Sequence, residues 1–229
     1  MPALPYDICA VIPAFNEAPT IEKAVMSTRH VLGEHASIIV VDDGSTDATA
    51  DCARRAGAYV IAHATNLGKG AAIKTGVLSA TQPWVLMLDA DLSTLPEELY
   101  YFVPFLETAD ILIGSRRAPG ARITLAQPWY RVWAGELFNV AFRHISGLPY
   151  RDTQCGFKLF RTDACRSIFE QLMTQTWSTD AEILMRAQAA GLRIIELPVQ
   201  WRHNEGSRVR FSHAPRILLE LRRLKKMIS

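Results

Sequence analysis

Two carboxylates, Asp89 and Asp91, follow directly on the apolar run Trp84–Leu88 with one alanine between them. If the strand direction continues, the alternation of side chains puts both acids on one face where a buried strand emerges into solvent. Neither has a basic neighbour in sequence, so they repel each other unless a hard divalent cation sits between them and a diphosphate. Mg²⁺ or Mn²⁺ fits oxygen ligands, whereas zinc would call for His or Cys. Taken alone, the same pair also reads as a turn that caps the helix opening at Pro96.

Three further polar clusters occupy comparable positions. Pro13-Ala14-Phe15-Asn16-Glu17 ends a first apolar run, and Asp42-Asp43-Gly44-Ser45 ends a second. A carboxylate there can accept hydrogen bonds from a base N–H or a ribose hydroxyl, with Gly44 letting the backbone approach a flat ligand. The plainer reading is a turn in which Asp43 and Ser45 cap the next helix. The third cluster, Asn66-Leu67-Gly68-Lys69-Gly70, opens a helix, where exposed N–H groups and a cation can face an anion. An ordinary solvated lysine fits Lys69 equally well.

The elements that must carry these clusters follow from apolar periodicity. Val- and Ile-rich runs at Ile8–Ile12, Ile38–Val41, Tyr59–Ala62, Trp84–Leu88 and Ile111–Ile113 alternate with helical stretches at Ala18–Leu32, Asp47–Ala56, Lys69–Ala80 and Pro96–Thr108. This is the pattern of a parallel sheet covered by helices, in which ligands bind beyond the carboxyl ends of the strands. Ser45 or Thr46 caps the second helix in this reading. Past Gly114 the pattern loosens into a loop at Arg117–Gly120, an aromatic helix around Trp129–Ile145 and a short strand near Gly156–Phe160. Helices follow at Asp163–Gln171 and Asp180–Ala190, then strands at Leu192–Leu197 and Val199–Arg202, and a final helix at Ala214–Ile228. With no repeat and no linker, residues 1–229 read as one domain.

In this order the four clusters resemble the family 2 glycosyltransferases, and the likeness spans most of the chain. It implies a GT-A fold: an α/β, Rossmann-like, mostly parallel sheet flanked by helices, elaborated in its C-terminal acceptor part, and a nucleotide-sugar donor. By that resemblance Pro13, Asn16 and Glu17, with Asp42 and Asp43, surround the nucleoside. Asp89, with Ala90 beside it, orients the nucleotide sugar; Asp91 takes the metal; and Lys69 belongs to the donor loop.

Within the family, Asp152-Thr153-Gln154-Cys155-Gly156-Phe157-Lys158-Leu159-Phe160 is similar to a segment of the polyprenyl-phosphate branch, the dolichyl-phosphate glucosyltransferases and, less closely, the dolichyl-phosphate mannose synthases. Trp177, Asp180-Ala181-Glu182 and Pro198-Val199-Gln200-Trp201-Arg202-His203 extend the likeness. The mannose synthases carry Gln where Ser93 stands, so a serine or a water must complete the metal shell here. The branch implies inverting transfer of a hexose, from UDP-glucose in preference to GDP-mannose, onto a dolichyl or polyprenyl phosphate, giving a β-linked product. A phosphate monoester, with a second pKa of about 6, is already a nucleophile and needs positive charge more than a base. Arg116, Arg117, Arg122 and Arg131 are candidates, with Arg117 and Arg131 favoured for catalysis. Arg202 and His203 are donor-side candidates on a loop able to close. Asp180 and Glu182 sit where relatives with hydroxyl acceptors keep a general base, and helix-start acids explain Asp180 nearly as well.

Charge agrees with two different jobs along the chain. Residues 1–113 hold 6 Lys/Arg against 14 Asp/Glu, and residues 114–229 hold 19 against 9, so an acidic half precedes a basic one. The four cysteines show no CxxC pair and read as reduced and buried. No run reaches the roughly 18 apolar residues of a membrane span, and the start lacks a secretory signal. The expectation is a cytoplasmic enzyme, peripheral at a membrane's cytoplasmic face. In Ala214–Ile228, Ile217, Leu221, Leu224 and Ile228 recur at helical spacing among Arg222, Arg223, Lys225 and Lys226, which fits either a membrane-surface helix or one packed on the core. Transfer to a hydroxyl acceptor in glycan synthesis is the main alternative. A sugar nucleotidyltransferase would place a Gly-rich basic loop where PAFNE stands, and a nucleic-acid module would not carry so acidic a half.

Overall fold

The computed structural model describes residues 4, 6–124, 139–176, 178–202 and 214–228. Its centre is a seven-stranded sheet in the order β3-β2-β1-β4-β7-β5-β8. The strands are β1 (Ile8–Ala14), β2 (Ile38–Asp42), β3 (Tyr59–Ala62), β4 (Trp84–Met87), β5 (Ile111–Ser115), β7 (Lys158–Arg161) and β8 (Ile194–Pro198). A separate small sheet pairs β6 (Arg122–Ile123) with β9 (Gln200–Trp201). All pairings in the main sheet are parallel except those of β7, which runs antiparallel between β4 and β5. The sheet is therefore mixed at its centre.

The inner strands β1, β2, β4 and β5 are buried on both faces, which is why they read as continuous apolar runs, whereas the edge strands β3 and β8 are partly exposed. Ile8, Ala10 and Ile12 of β1 join the core under α1 (Ile21–Leu32) and α2 (Thr49–Arg55), while Cys9 and Val11 join the core on the opposite face. That second core is covered by α3 (Lys69–Ser79), α5 (Thr162–Glu170), α6 (Thr179–Ala189) and α7 (Ala214–Ile228). All four cysteines are buried and free, and burial pushes the Cys9 and Cys165 thiols up to about 12.

Several expected elements are corrected. The helix expected over Pro96–Thr108 is three short pieces, a 3₁₀ turn at Pro96–Glu98, α4 (Leu99–Phe102) and a second 3₁₀ turn at Val103–Phe105. Pro104 removes a helical N–H and clashes with the preceding turn, so a continuous helix cannot form. The strand expected near Gly156–Phe160 runs instead from Lys158 to Arg161. Ser45 and Thr46 do not cap α2: the Ser45 hydroxyl accepts from Asn16 N at 2.8 Å, and Asp47 instead takes Thr49 N at 3.0 Å. Of the aromatic helix expected at Trp129–Ile145, residues 125–138 lie outside the described residues; 139–146 are helical, with Phe142 buried.

The apolar stripe of α7 belongs to the protein core. Ile217, Leu221 and Leu224 are buried, and Arg222, Arg223, Lys225 and Lys226 are exposed together with Leu219 and Met227. Among the described residues, no helix is long and apolar enough to cross a membrane.

Candidate active site

The carboxyl ends of β1, β2 and β4 open into one cavity of about 1200 Å³. Single-ligand sites occupy about 300–1000 Å³, so this space suits two substrates meeting. Pro13, Glu17, Asp43, Lys69, Asp89, Ala90, Asp91, Ser93, Arg116, Trp201 and Arg202 are among the residues that line it. Asn16, Asp42 and Arg117 are not among its lining residues. Arg131 and His203 lie outside the described residues.

The acidic pair does not stand as two unpartnered carboxylates. Lys69 Nζ donates to Asp89 Oδ1 at 2.7 Å, with side-chain exposures of 23% and 34%. Burial alone would raise the Asp89 carboxyl, but the Lys69 ammonium, helped by Lys158 and Arg116 farther away, holds it below the usual range. Burial likewise works against the Lys69 charge and is overcome by Asp89, with Asp180 and Asp91 assisting, so the lysine is held above its ordinary value. The protein thus supplies one cation of its own to the acidic turn. The strand itself stops at Met87, and Leu92 takes a left-handed φ of 54°. The two acids therefore ride on a turn, and Asp91 folds back to accept from Ser93 N at 2.8 Å and Ser93 Oγ at 2.9 Å.

Asp91 lines the cavity, and a carboxylate offers about four lone-pair positions, more than the two that Ser93 takes. Mg²⁺ is commonly held by one or two carboxylates plus substrate phosphates, and Asp91 on the cavity wall fits that donor set. Ser93 is buried with its hydroxyl directed at Asp91, which orients the carboxylate. No group of three or more His, Cys, Asp or Glu residues forms a self-sufficient metal cage among the described residues. A metal here would complete its shell from the donor diphosphate.

The residues expected around the nucleoside divide into those facing the cavity and those holding the loops. Asn16 accepts Thr46 N at 2.8 Å, and Asp42 accepts Ser45 N at 3.1 Å. Asp43, although it lines the cavity, is buried and takes His63 Nδ1 at 2.7 Å, Leu67 N at 3.0 Å and Gly68 N at 2.8 Å. Gly44 is needed for the chain rather than for a ligand, since a Cβ there would lie 2.6 Å from the Thr65 carbonyl carbon. The start of α3 also differs from expectation. Leu67 and Gly68 N–H are committed to Asp43 and Gly70 N–H to Gln175 O, so these three backbone groups are spent inside the protein.

Arg116 is locked by Asp152. Its Nε and Nη2 reach Oδ2 at 2.6 Å and Oδ1 at 2.9 Å, its backbone N adds a bond at 3.0 Å, and its guanidinium lies 5.5 Å from the Trp201 ring centroid. Arg117 approaches the same carboxylate at 3.9 Å. Burial would raise Asp152, 1% exposed, but Arg116 and then Arg117 hold it far below the ordinary carboxylate range. Arg122 is exposed on β6. Arg202 N donates to Ser93 O at 2.8 Å, tying the end of β9 to the acidic turn.

Neither Asp180 nor Glu182 lines the cavity. Asp180 pairs with Lys158, a fully buried lysine in the middle of the sheet, and Glu182 pairs with Arg186 at 2.8 Å. Sequence reasoning missed the roles of Asp152 and Lys158. A lysine inside Gly156-Phe157-Lys158-Leu159-Phe160 was the available signal, because a charge within an apolar strand demands a buried partner.

A model of the family described as "Glycosyl transferase family 2" matches residues 9–169, which takes in β1 through α5 and every part of the acidic turn. The chain belongs to glycosyl transferase family 2. It is 33% identical over 223 residues to "Dolichyl-phosphate beta-glucosyltransferase ALG5A" of Trichomonas vaginalis, covering 88% of this chain and 68% of that protein. It is 31% identical to the Mus musculus dolichyl-phosphate beta-glucosyltransferase, covering 88% and 69%. Among solved structures, glucosyl-3-phosphoglycerate synthase of Mycobacterium tuberculosis superposes with a TM-score of 0.72 at 20% identity, covering 98% of this chain and 81% of that one. The same enzyme in complex with Mn²⁺, UDP-glucose and glycerol 3-phosphate gives 0.72 at 18% identity, covering 98% and 80%. The mannosyl-3-phosphoglycerate synthase of Rubrobacter xylanophilus gives 0.71 at 21%, covering 97% and 75%. The mixed sheet of this family 2 glycosyltransferase is accordingly a GT-A fold.

Proposed function

We propose that this glycosyltransferase moves glucose from UDP-glucose onto a dolichyl or related polyprenyl phosphate, with inversion at the anomeric carbon. The observation that carries the reading is one cavity lined by Lys69, Asp89 and Asp91 and also by Arg116, whose guanidinium is held by the buried Asp152. The dolichyl-phosphate glucosyltransferases among its relatives supply the substrate classes.

Asp91, oriented by Ser93, would hold Mg²⁺ or Mn²⁺ together with the donor diphosphate oxygens. Bound there, the ion neutralises charge that grows on the departing nucleoside diphosphate. Lys69 adds a fixed cation at the same place, and Asp89 limits its mobility, so this charge requires little reorganisation. Pro13 and Glu17 line the nucleoside end. Arg116 lines the cavity and its guanidinium is held by Asp152, so it would orient the acceptor phosphate from a fixed position. The phosphate is itself the nucleophile, which agrees with Asp180 and Glu182 being spent on buried ion pairs. Arg131 and His203 remain candidates for the acceptor and donor sides. The exposed basic face of α7, on the helix whose Ile217 and Glu220 border the cavity, would rest on an anionic membrane surface at the cytoplasmic face.

The test is to incubate the protein with UDP-glucose or GDP-mannose, with and without polyprenyl phosphate and Mn²⁺ or Mg²⁺, and to follow sugar entering the lipid phase. Metal-dependent transfer from UDP-glucose to the lipid is expected. Transfer only to soluble hydroxyl acceptors would overturn the reading.

A further inference from the structure

Glu182 is fully buried on the first turn of α6 and does not line the cavity. Its carboxylate accepts from Met173 N at 3.0 Å, Thr174 N at 2.8 Å, the Thr174 hydroxyl at 2.7 Å and Arg186 Nε at 2.8 Å. Arg186 neutralises the charge, and the other three bonds fasten the segment ahead of α6. A buried carboxylate with this many donors is strongly held, because losing any of them leaves a costly unsatisfied charge.

The fastened segment rests on the start of α3. Gly70 N donates to Gln175 O at 3.2 Å, and a Cβ at Gly70 would overlap Thr179 Oγ1 and approach the Thr174 carbonyl. On the other side of Lys69, Gly68 N is held by Asp43 at 2.8 Å. The backbone of Lys69 is therefore gripped between Asp43 and residues 173–176. A lysine side chain has a flexible four-carbon stem, so a defined Nζ position depends on a fixed Cα.

We infer that Glu182 is a positioning residue. By holding residues 173–176 against Gly70, it sets the backbone of Lys69 and with it the Lys69–Asp89 ion pair on the cavity wall. The role differs from that of a general base: Glu182 acts through the donor-side lysine and never meets the acceptor.

Two readouts test this on the full chain. Reductive ¹³C-dimethylation makes the lysines visible by NMR, with the Lys69 signal identified by its absence in Lys69→Met. At neutral pH its chemical shift reports the surroundings of Nζ beside Asp89, and in Glu182→Gln it should move towards the shifts of the exposed lysines. An unmoved Lys69 signal in a folded Glu182→Gln protein overturns the inference. If that variant does not fold, Thr174→Val removes only the Thr174 hydroxyl, with its contacts to Glu182 and Thr179, and should move the signal in the same direction; no movement there overturns the inference equally. The second readout is kinetic and rests on the proposed transfer reaction. Lys69→Met should lower kcat/KM about 100-fold and Glu182→Gln about tenfold, with the double variant no worse than Lys69→Met alone. Fully additive losses would mean that Glu182 acts by another route. If the wild-type protein transfers nothing to lipid phosphate, the proposed reaction fails while the NMR readout still decides the positioning role.

Discussion

Asp89 and Gly156 are packed so closely that a side chain at 156 would overlap both carboxylate oxygens of Asp89. The segment entering β7 is thus the floor on which the acidic turn rests, and the glycine sets how near Asp89 can sit to Lys69. Gly156→Ala should push Asp89 away from its 2.7 Å contact and lower kcat/KM at least tenfold. Overpacking of this kind costs about 1–3 kcal/mol, so a thermal melt should show a modest fall alongside the larger kinetic one. Unchanged kinetics would mean that the turn tolerates displacement.

Asp91→Asn keeps the shape of the side chain and an acceptor for one of the two Ser93 bonds while removing the anionic ligand. Transfer should fall at least 100-fold with stability altered by no more than about 1 kcal/mol. Rate measured against Mn²⁺ concentration should lose its saturating rise. A variant that still saturates with metal would place the ion elsewhere.

The strands and the order of the clusters were legible because the inner strands are buried on both faces and each strand carries its own apolar run, as at Ile8–Ile12 and Ile38–Val41. What could not be read was pairing across the sheet. Lys69 and Asp89 are 20 residues apart, Arg116 and Asp152 are 36 apart, and Lys158 meets Asp180 only because β7 inserts antiparallel between β4 and β5. Periodicity reports which face a residue shares with its sequence neighbours, and it carries no information about which strand lies alongside. For the same reason the loop contacts of Asp43, which lines the cavity and also accepts from His63 and the 67–68 backbone, and the close approach of Gly44 to Thr65 could not be read from the sequence.

Asp152 gives the fold a pH-dependent component. Its carboxyl is held far below the ordinary value by Arg116 and Arg117 against the opposing effect of burial. A depressed folded-state pKa contributes stability that is complete above the unfolded value of about 3.9 and is lost as pH falls through the folded value. Asp152→Asn should be destabilised by about 3 kcal/mol at pH 7, since it leaves Arg116 without its counter-charge. The gap from wild type should narrow below about pH 4. Denaturant melts at pH 7 and pH 3 check this, and a gap independent of pH would show that lost packing, rather than charge, accounts for the difference.

Exposed Arg222, Arg223 and Lys226 on α7 should govern association with anionic vesicles. Near a membrane surface each such charge contributes about 1 kcal/mol, so the triple Glu variant should lose sedimentation with phosphatidylserine-containing vesicles. Binding by the wild type should weaken as salt is raised. Equal binding to neutral vesicles would assign the contact to the exposed Leu219 and Met227 instead.

Asp180 separates a structural account from a catalytic one. It is 3% exposed and its carboxylate is spent on Lys158, which also donates to Cys155 O at 2.5 Å in the segment that supports Asp89. Removing either member strands a buried charge, at about 3–5 kcal/mol, whereas removing both avoids that penalty. Lys158→Met should therefore be strongly destabilised, and Lys158→Met with Asp180→Leu should recover much of the loss in a thermal melt. A folded double variant should retain transfer activity with an unchanged acid limb in its pH–rate profile, because the acceptor phosphate needs no protein base. If the double variant is as stable as expected yet inactive, and Asp180→Asn alone abolishes the acid limb, then Asp180 takes a proton during the reaction and the acceptor is a hydroxyl.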